Sequence, residues 1–256
     1  MWARIDRELA AIEQQHHVRI LFAVESGSRA WRFPSIDSDY DVRFVYAHAA
    51  AAYLSIEPPD DVIERPTDGI LDVNGWDVRK LLQLLVRSNA VVLEWLTSSI
   101  RYRDGGPIAA QLLALARETC YLPALAYHYD RLARNSFGEI TSSPGAVRFR
   151  AYCYALRPAL ALLWVRRGEA PPMDLWSLLA GVAIPEALRH TVAEFVERKA
   201  AADERGMTAR LPRLDAFLDE VLSEPENRFV LPEREAVRLS ADELFRSILR
   251  LSLSSD

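Results

Sequence analysis

The chain has 256 residues, is 50% hydrophobic and 26% charged, and carries a net charge of −5, which fits one large core or two small ones and excludes a disordered composition. That acidity also excludes binding nucleic acid through bulk charge, leaving only a local basic surface for such a role. Cys120 and Cys153 are the only cysteines, too few and too far apart for a disulfide framework or a zinc site, and with no signal core and no apolar run of about 20 residues the expectation is a cytoplasmic protein outside the membrane.

Residues 2 to 17 read as a polar helix, and Val18 to Glu25 (VRILFAVE) as a short buried strand. SGSRAW then predicts a turn into a short helix. DYDVRFVYA, Asp39 to Ala47, alternates and predicts a second strand, and DGILDVNGW, Asp68 to Trp76, a third. DVRKLLQLLVRSNAVVLEWL returns to helical spacing. From about Pro107 the apolar residues recur every three and four positions, with Gly, Pro or Ser at each break. The tail reads as a helix opened at Ser240 by a capping box, SADE. These elements divide the chain into an α/β part, residues 1–105, and a helical part, residues 106–256.

The chemistry concentrates in ESGSRAWRFPSIDSDYD, Glu25 to Asp41. Alternation along a strand points Asp39 and Asp41 to one face, where two carboxylates repel unless a cation neutralises them. Magnesium suits that place, since it is hard and takes carboxylate together with phosphate oxygens. Upstream, Gly27 and Ser28 follow a strand, where backbone N–H groups and a hydroxyl cradle a phosphate. A third carboxylate belongs on the next strand. Asp72 and Asp77 are the candidates, and being five apart they face opposite sides of a regular strand unless Gly75 makes a bulge. Asp77 stands where a helix N-cap belongs, so Asp72 is the expected third acid, with Asp77 as the alternative.

GSRAWRFPSIDSDYDVRFVY resembles the signature of the DNA polymerase β-like nucleotidyltransferase superfamily, a Gly-Ser followed by D-x-D on the next strand and a later acid. The chain further resembles the nucleotidyltransferases of the RlaP/YcgL type. There GS-R-A-W-G-F leads into DSDYDVRF, and DxxGWDLRKALxLLxKSNP is followed by EWL. Here the second block stands as LDVNGWDVRKLLQLLVRSNAVVLEWL, and AYHYDRLARN, YALRPALALLWV and PPMD carry the likeness to about residue 180. Arg32 replaces the usual glycine after the tryptophan, and Ala90 the proline of SNP. A phosphatase-type D-x-D-x-T is excluded by Arg43 after Val42. A Toprim arrangement is excluded by the short Glu25-to-Asp39 interval, which leaves no room for a parallel crossover.

The resemblance implies an α+β architecture: a polymerase β-like nucleotidyltransferase domain with a small mixed sheet, then a helical bundle. It implies transfer of a nucleoside monophosphate from a nucleoside triphosphate such as ATP to an acceptor hydroxyl, with release of pyrophosphate. Asp39, Asp41 and Asp72 would hold magnesium or manganese, and Gly27, Ser28 and Arg29 the phosphates. RNA ends, a protein hydroxyl and a small molecule all stand open as acceptors. A module of the same fold that binds nucleotide or neutralises a partner without catalysis is the rival reading.

Only Lys80 and Lys199 are lysines among 31 basic residues. Lys80, early in its helix near the third acid, is placed to contact a triphosphate. Seven arginines and two acids lie between His128 and Gly168. Within that stretch Arg150, Tyr154 and Arg157 share one helix face, offering forked donors and a stacking ring to a nucleotide. That face is expected to line the same groove as the carboxylates.

Overall fold

The computed structural model describes residues 1–253, and the chain folds into two compact units. One comprises Met1–Gly27, Asp39–Cys120 and the chain from Pro232 onward; the other comprises Ser28–Ser38 and Tyr121–Leu231. The division after the first half falls at Cys120, not at residue 105. Segment 28–38 also leaves the first unit, and the last helix returns to it.

The first unit opens with α1 (Trp2–His16) and β1 (Val18–Ser26), followed by β2 (Tyr40–His48), a 3₁₀ turn (Ala50–Leu54), β3 (Val62–Glu64) and β4 (Leu71–Asp77). Helices α2 (Val78–Val86) and α3 (Ala90–Thr97), strand β5 (Arg101–Arg103) and helix α4 (Gly106–Glu118) complete its first part. The sheet order is β3-β4-β2-β1-β5. β2 and β4 run parallel, and the other pairs are antiparallel.

Each face of the sheet is covered. Ile5, Leu9 and Ile12 of α1 pack on Val42, Phe44 and Tyr46 of β2 and on Leu71 and Val73 of β4. On the other face Phe22, Val24, Val45 and Ala47 meet Val78, Leu81 and Leu85 of α2 and Leu112 of α4. β4 keeps a continuous register against β2, with no bulge at Gly75. The glycine is needed because a Cβ there would lie 2.2 Å from the Phe44 ring. Asn89 caps α3, accepting from the Val91 N–H at 2.9 Å. Ala90 thus takes the first helical position, where proline is favoured only because no N–H is needed.

The second unit holds α5 (Leu122–Ser142), β6 (Val147–Arg148), α6 (Phe149–Arg166), α7 (Leu175–Gly181), α8 (Glu186–Ala200), β7 (Met207–Thr208) and α9 (Pro212–Val221). Its strands form a two-stranded ribbon. Segment 28–38 is fastened to it by side chains: buried Lys199 donates to Ser35 Oγ at 2.8 Å, and the Glu204 N–H donates to Asp37 Oδ1 at 2.8 Å. The expected short helix after Gly27 is absent, and residues 27–32 form turns. The Phe33 N–H bonds Ser28 O at 3.0 Å and the Arg32 N–H bonds Arg29 O at 3.1 Å. This is the closure of a Schellman motif, whose penultimate residue must be left-handed. Arg32 sits there at φ 66°.

The chain then returns to the first unit as α10 (Glu235–Leu253). It starts five residues before the expected capping box, because the Arg238 N–H already bonds Arg234 O at 2.9 Å and Glu235 suits a first turn. Ser240 lies inside the helix. Both cysteines are free thiols, and burial pushes Cys153 up to about 12. Among the described residues no helix is long and apolar enough to cross a membrane.

Candidate functional site

Val42, Phe44 and Tyr46 are buried beneath α1, so the alternation of β2 turns Asp41 and Arg43 to the opposite face. In β4 the buried Leu71 and Val73 do the same for Asp72. The parallel register sets Asp41 directly beside Asp72. Between them lies Arg43, whose Nη2 donates to Asp41 Oδ1 at 2.9 Å and to Asp72 Oδ2 at 2.7 Å. Its Nη1 donates to the carbonyls of Val42 and Asp72 at 3.2 and 3.3 Å. One guanidinium therefore bridges two carboxylates that would otherwise repel, offsetting half of their charge.

Gly27 borders the pair from β1. Its φ is +73°, and a Cβ there would lie 2.2 Å from Asp41 Oδ2 and 3.0 Å from Asp41 Cγ. Only glycine lets the chain turn this close to the carboxylate. Glu25, fully buried, fixes the backbone at the same point. It accepts the Asp41 N–H at 2.9 Å and the Tyr102 hydroxyl, while the Ser98 hydroxyl donates to its carbonyl at 2.7 Å. Neither Arg43 nor Glu25 is among the residues expected from the sequence. The signal for Glu25 is a charge closing an apolar run. The signal for Arg43 is a cation two residues from Asp41, hence on its face.

Asp39 lies directly ahead of β2 and is half-buried. Among the described residues no three His, Cys, Asp or Glu side chains gather into a metal-holding group; of Asp39, Asp41 and Asp72, the register pairs the last two. Asp77 caps α2. It is buried, accepts the Arg79 N–H at 2.7 Å and the Tyr53 hydroxyl at 2.6 Å, and burial raises its pKa above the ordinary value. Lys80 pairs with Asp61 at 2.9 Å.

The remaining expected residues lie in the second unit. Ser28 Oγ donates to Ser38 Oγ at 3.1 Å, and Arg29 donates to Ser38 O. On α6 the Arg150 guanidinium covers the Tyr154 ring at 4.9 Å, and Trp31 meets Tyr154 edge-on at 5.2 Å. Arg157 is only 3% exposed. It donates from Nε to Met173 O at 2.9 Å and stacks on Trp31 at 4.7 Å, holding segment 28–38 to the helices of its unit.

The donor chemistry suits a divalent cation. Two hard oxygen ligands meet at one register position, a glycine admits the Asp41 carboxylate, and a positive group already lies between the acids. A mixed α+β sheet with a glycine turn leading to acids on adjacent parallel strands is the architecture of the polymerase β-like nucleotidyltransferases. The chain belongs to the RlaP family, described as an RNA repair pathway DNA polymerase beta family, whose model matches residues 1–247. It is 41% identical over 220 residues to the uncharacterized protein YcgL of Bacillus subtilis (strain 168), covering 86% of this chain and 84% of that one. Among solved structures it matches a nucleotidyltransferase-like protein from Exiguobacterium sibiricum 255-15 at 13% identity and a TM-score of 0.30, over 96% of this chain and 80% of that one.

Proposed function

We propose that this protein transfers a nucleoside monophosphate from a nucleoside triphosphate to a hydroxyl, with an RNA end as acceptor, in the cytoplasm. The observation that carries the reading is the register pairing of Asp41 with Asp72, bordered by Gly27 at a distance no other residue allows. The description of the family favours RNA. Asp41 and Asp72 would hold a magnesium or manganese ion, with Asp39 as the further ligand. Such an ion supplies positive charge to the triphosphate and to the leaving pyrophosphate.

The protein's own groups do the rest. The N–H groups of the Gly27 turn bind phosphate oxygens. Buried Glu25 keeps the backbone of Asp41 in place through its N–H. Asp72, the more exposed carboxylate of the pair, takes the proton of the acceptor hydroxyl. The hydroxyl oxygen bonds the α-phosphorus, the bond to the β-phosphate oxygen breaks, and pyrophosphate leaves.

The Arg43 bridge favours a second reading, in which the guanidinium is a permanent counter-ion and the fold binds nucleotide without catalysis. Pyrophosphate release from each nucleoside triphosphate, with magnesium or manganese and RNA ends, separates the two. Wild type is expected to release pyrophosphate and Asp41→Asn and Asp72→Asn not to, at unchanged circular dichroism. Nucleotide binding with no release under any combination selects the silent reading.

A further inference from the structure

Arg43 does what a bound metal would do. Its Nη2 lies 2.9 Å from Asp41 and 2.7 Å from Asp72, on the line where the two carboxylates converge. A divalent ion taking the same two oxygens, Asp41 Oδ1 and Asp72 Oδ2, needs that same place. We infer that Arg43 is an intramolecular competitor of the metal, occupying the Asp41–Asp72 site at rest and leaving it when a divalent cation binds. The inference rests on the metal-site reading above.

Two observations support displacement over a shared arrangement. A single nitrogen serves both carboxylates, so the guanidinium sits between them and not to one side. Its other contacts, Nη1 to the carbonyls of Val42 and Asp72, are long at 3.2 and 3.3 Å, and are weaker than charge-assisted bonds to ionised oxygens. A doubly charged ion held about 4 Å from a guanidinium is repelled even in bulk-water screening, enough to change affinity by about thirtyfold. The side chain is only 18% exposed, which strengthens that repulsion. Arginine keeps its charge throughout the accessible pH range, so only movement relieves it. The arrangement protects the acid pair while no metal is bound and sets the cation concentration at which the site fills.

The test is manganese binding to the full chain, followed by electron paramagnetic resonance, for wild type, Arg43→Gln, Arg43→Lys and Asp41→Asn. Arg43→Gln is expected to bind about thirtyfold more tightly than wild type. Arg43→Lys, which keeps the charge, is expected to stay within about twofold of wild type. A second measurement needs no substitution at Arg43: phenylglyoxal labelling read by peptide mass spectrometry should rise at Arg43 when magnesium is added to wild type, and not in Asp41→Asn. Arg43→Gln binding manganese no more tightly than wild type, or labelling unchanged while the metal binds, overturns the competition and leaves the metal site standing. Manganese binding unaffected by Asp41→Asn overturns the site itself and the competition with it.

Discussion

Gly27→Ala isolates the closest approach in the site. The substitution forces a side chain into φ +73°, which costs about 1–2 kcal/mol, offset by about 0.4–1 kcal/mol from the stiffer unfolded chain. Gly69 supplies the control, since it has φ +84° and nothing within 4 Å of an added Cβ. Gly69→Ala should therefore cost about 0.5–1 kcal/mol. Gly27→Ala adds a collision with Asp41 Oδ2 at 2.2 Å and Cγ at 3.0 Å. The carboxylate must rotate off its rotamer, about 0.5–1.5 kcal/mol, and loosen its partly exposed ion pair with Arg43, up to about 1 kcal/mol. The total is about 1–3.5 kcal/mol, read from urea denaturation.

The collision is separable from the backbone cost. In an Asp41→Ala background the nearest remaining atom is the Cβ at 3.5 Å, an ordinary contact. There Gly27→Ala should fall to the cost of Gly69→Ala, leaving a coupling of about 0.5–2.5 kcal/mol in the double-mutant cycle. Turnover should suffer more than stability, because a ligand displaced by about 1 Å costs on the order of 100-fold. Gly27→Ala matching Gly69→Ala in stability, with wild-type pyrophosphate release, would refute the reasoning.

Asp77→Ala should cost about 2–3 kcal/mol, about 1 for the cap and the rest for the stranded Tyr53 hydroxyl, whereas Asp77→Asn keeps the cap through Oδ1 and loses only the acceptor for the Tyr53 hydroxyl; equal loss in the two variants contradicts the capping role. Burial raises the Asp77 pKa above 3.8, so the folded protein holds that proton more tightly than the unfolded chain, and stability falls as pH rises from about 3.8 through the folded value. Asp77→Asn should remove this slope from a pH series of unfolding midpoints. Arg32→Gly relieves the left-handed strain at φ 66° and should stabilise the protein by about 0.5–1 kcal/mol; a lower melting temperature would show that the Arg32 side chain makes contacts worth more than the strain. Arg157→Ala should destabilise by about 2–4 kcal/mol through the lost bond to Met173 O and the lost stack on Trp31, and Arg157→Lys should not restore it; a loss under about 0.5 kcal/mol would return Arg157 to the nucleotide-binding role expected of it.

What the sequence made legible was what period two and period three-to-four encode. Val18–Ser26 is a nearly continuous apolar run, Tyr40–His48 and Leu71–Asp77 are long enough to alternate, and the five-residue spacing separated Asp72 from the cap Asp77. Val62–Glu64 and Arg101–Arg103, three residues each, are too short to show a period. Segment 28–38 has no local mark of belonging with the helices, since its anchors, such as Lys199 on Ser35, are 164 residues away. The departure at Arg32 was visible in the motif, but its meaning was not, because a positive φ is a property of the folded turn. Arg43 is the instructive omission. The alternation that places Asp39 and Asp41 on one face places Arg43 on it too. An acid pair without a cation carries two negative charges that metal must offset, whereas an acid pair with its own guanidinium has half of that charge offset already and takes metal by exchange. The difference lies in one residue two positions along the same strand, and it changes the expected effect of removing either carboxylate from relief of repulsion to loss of half an ion-paired bridge.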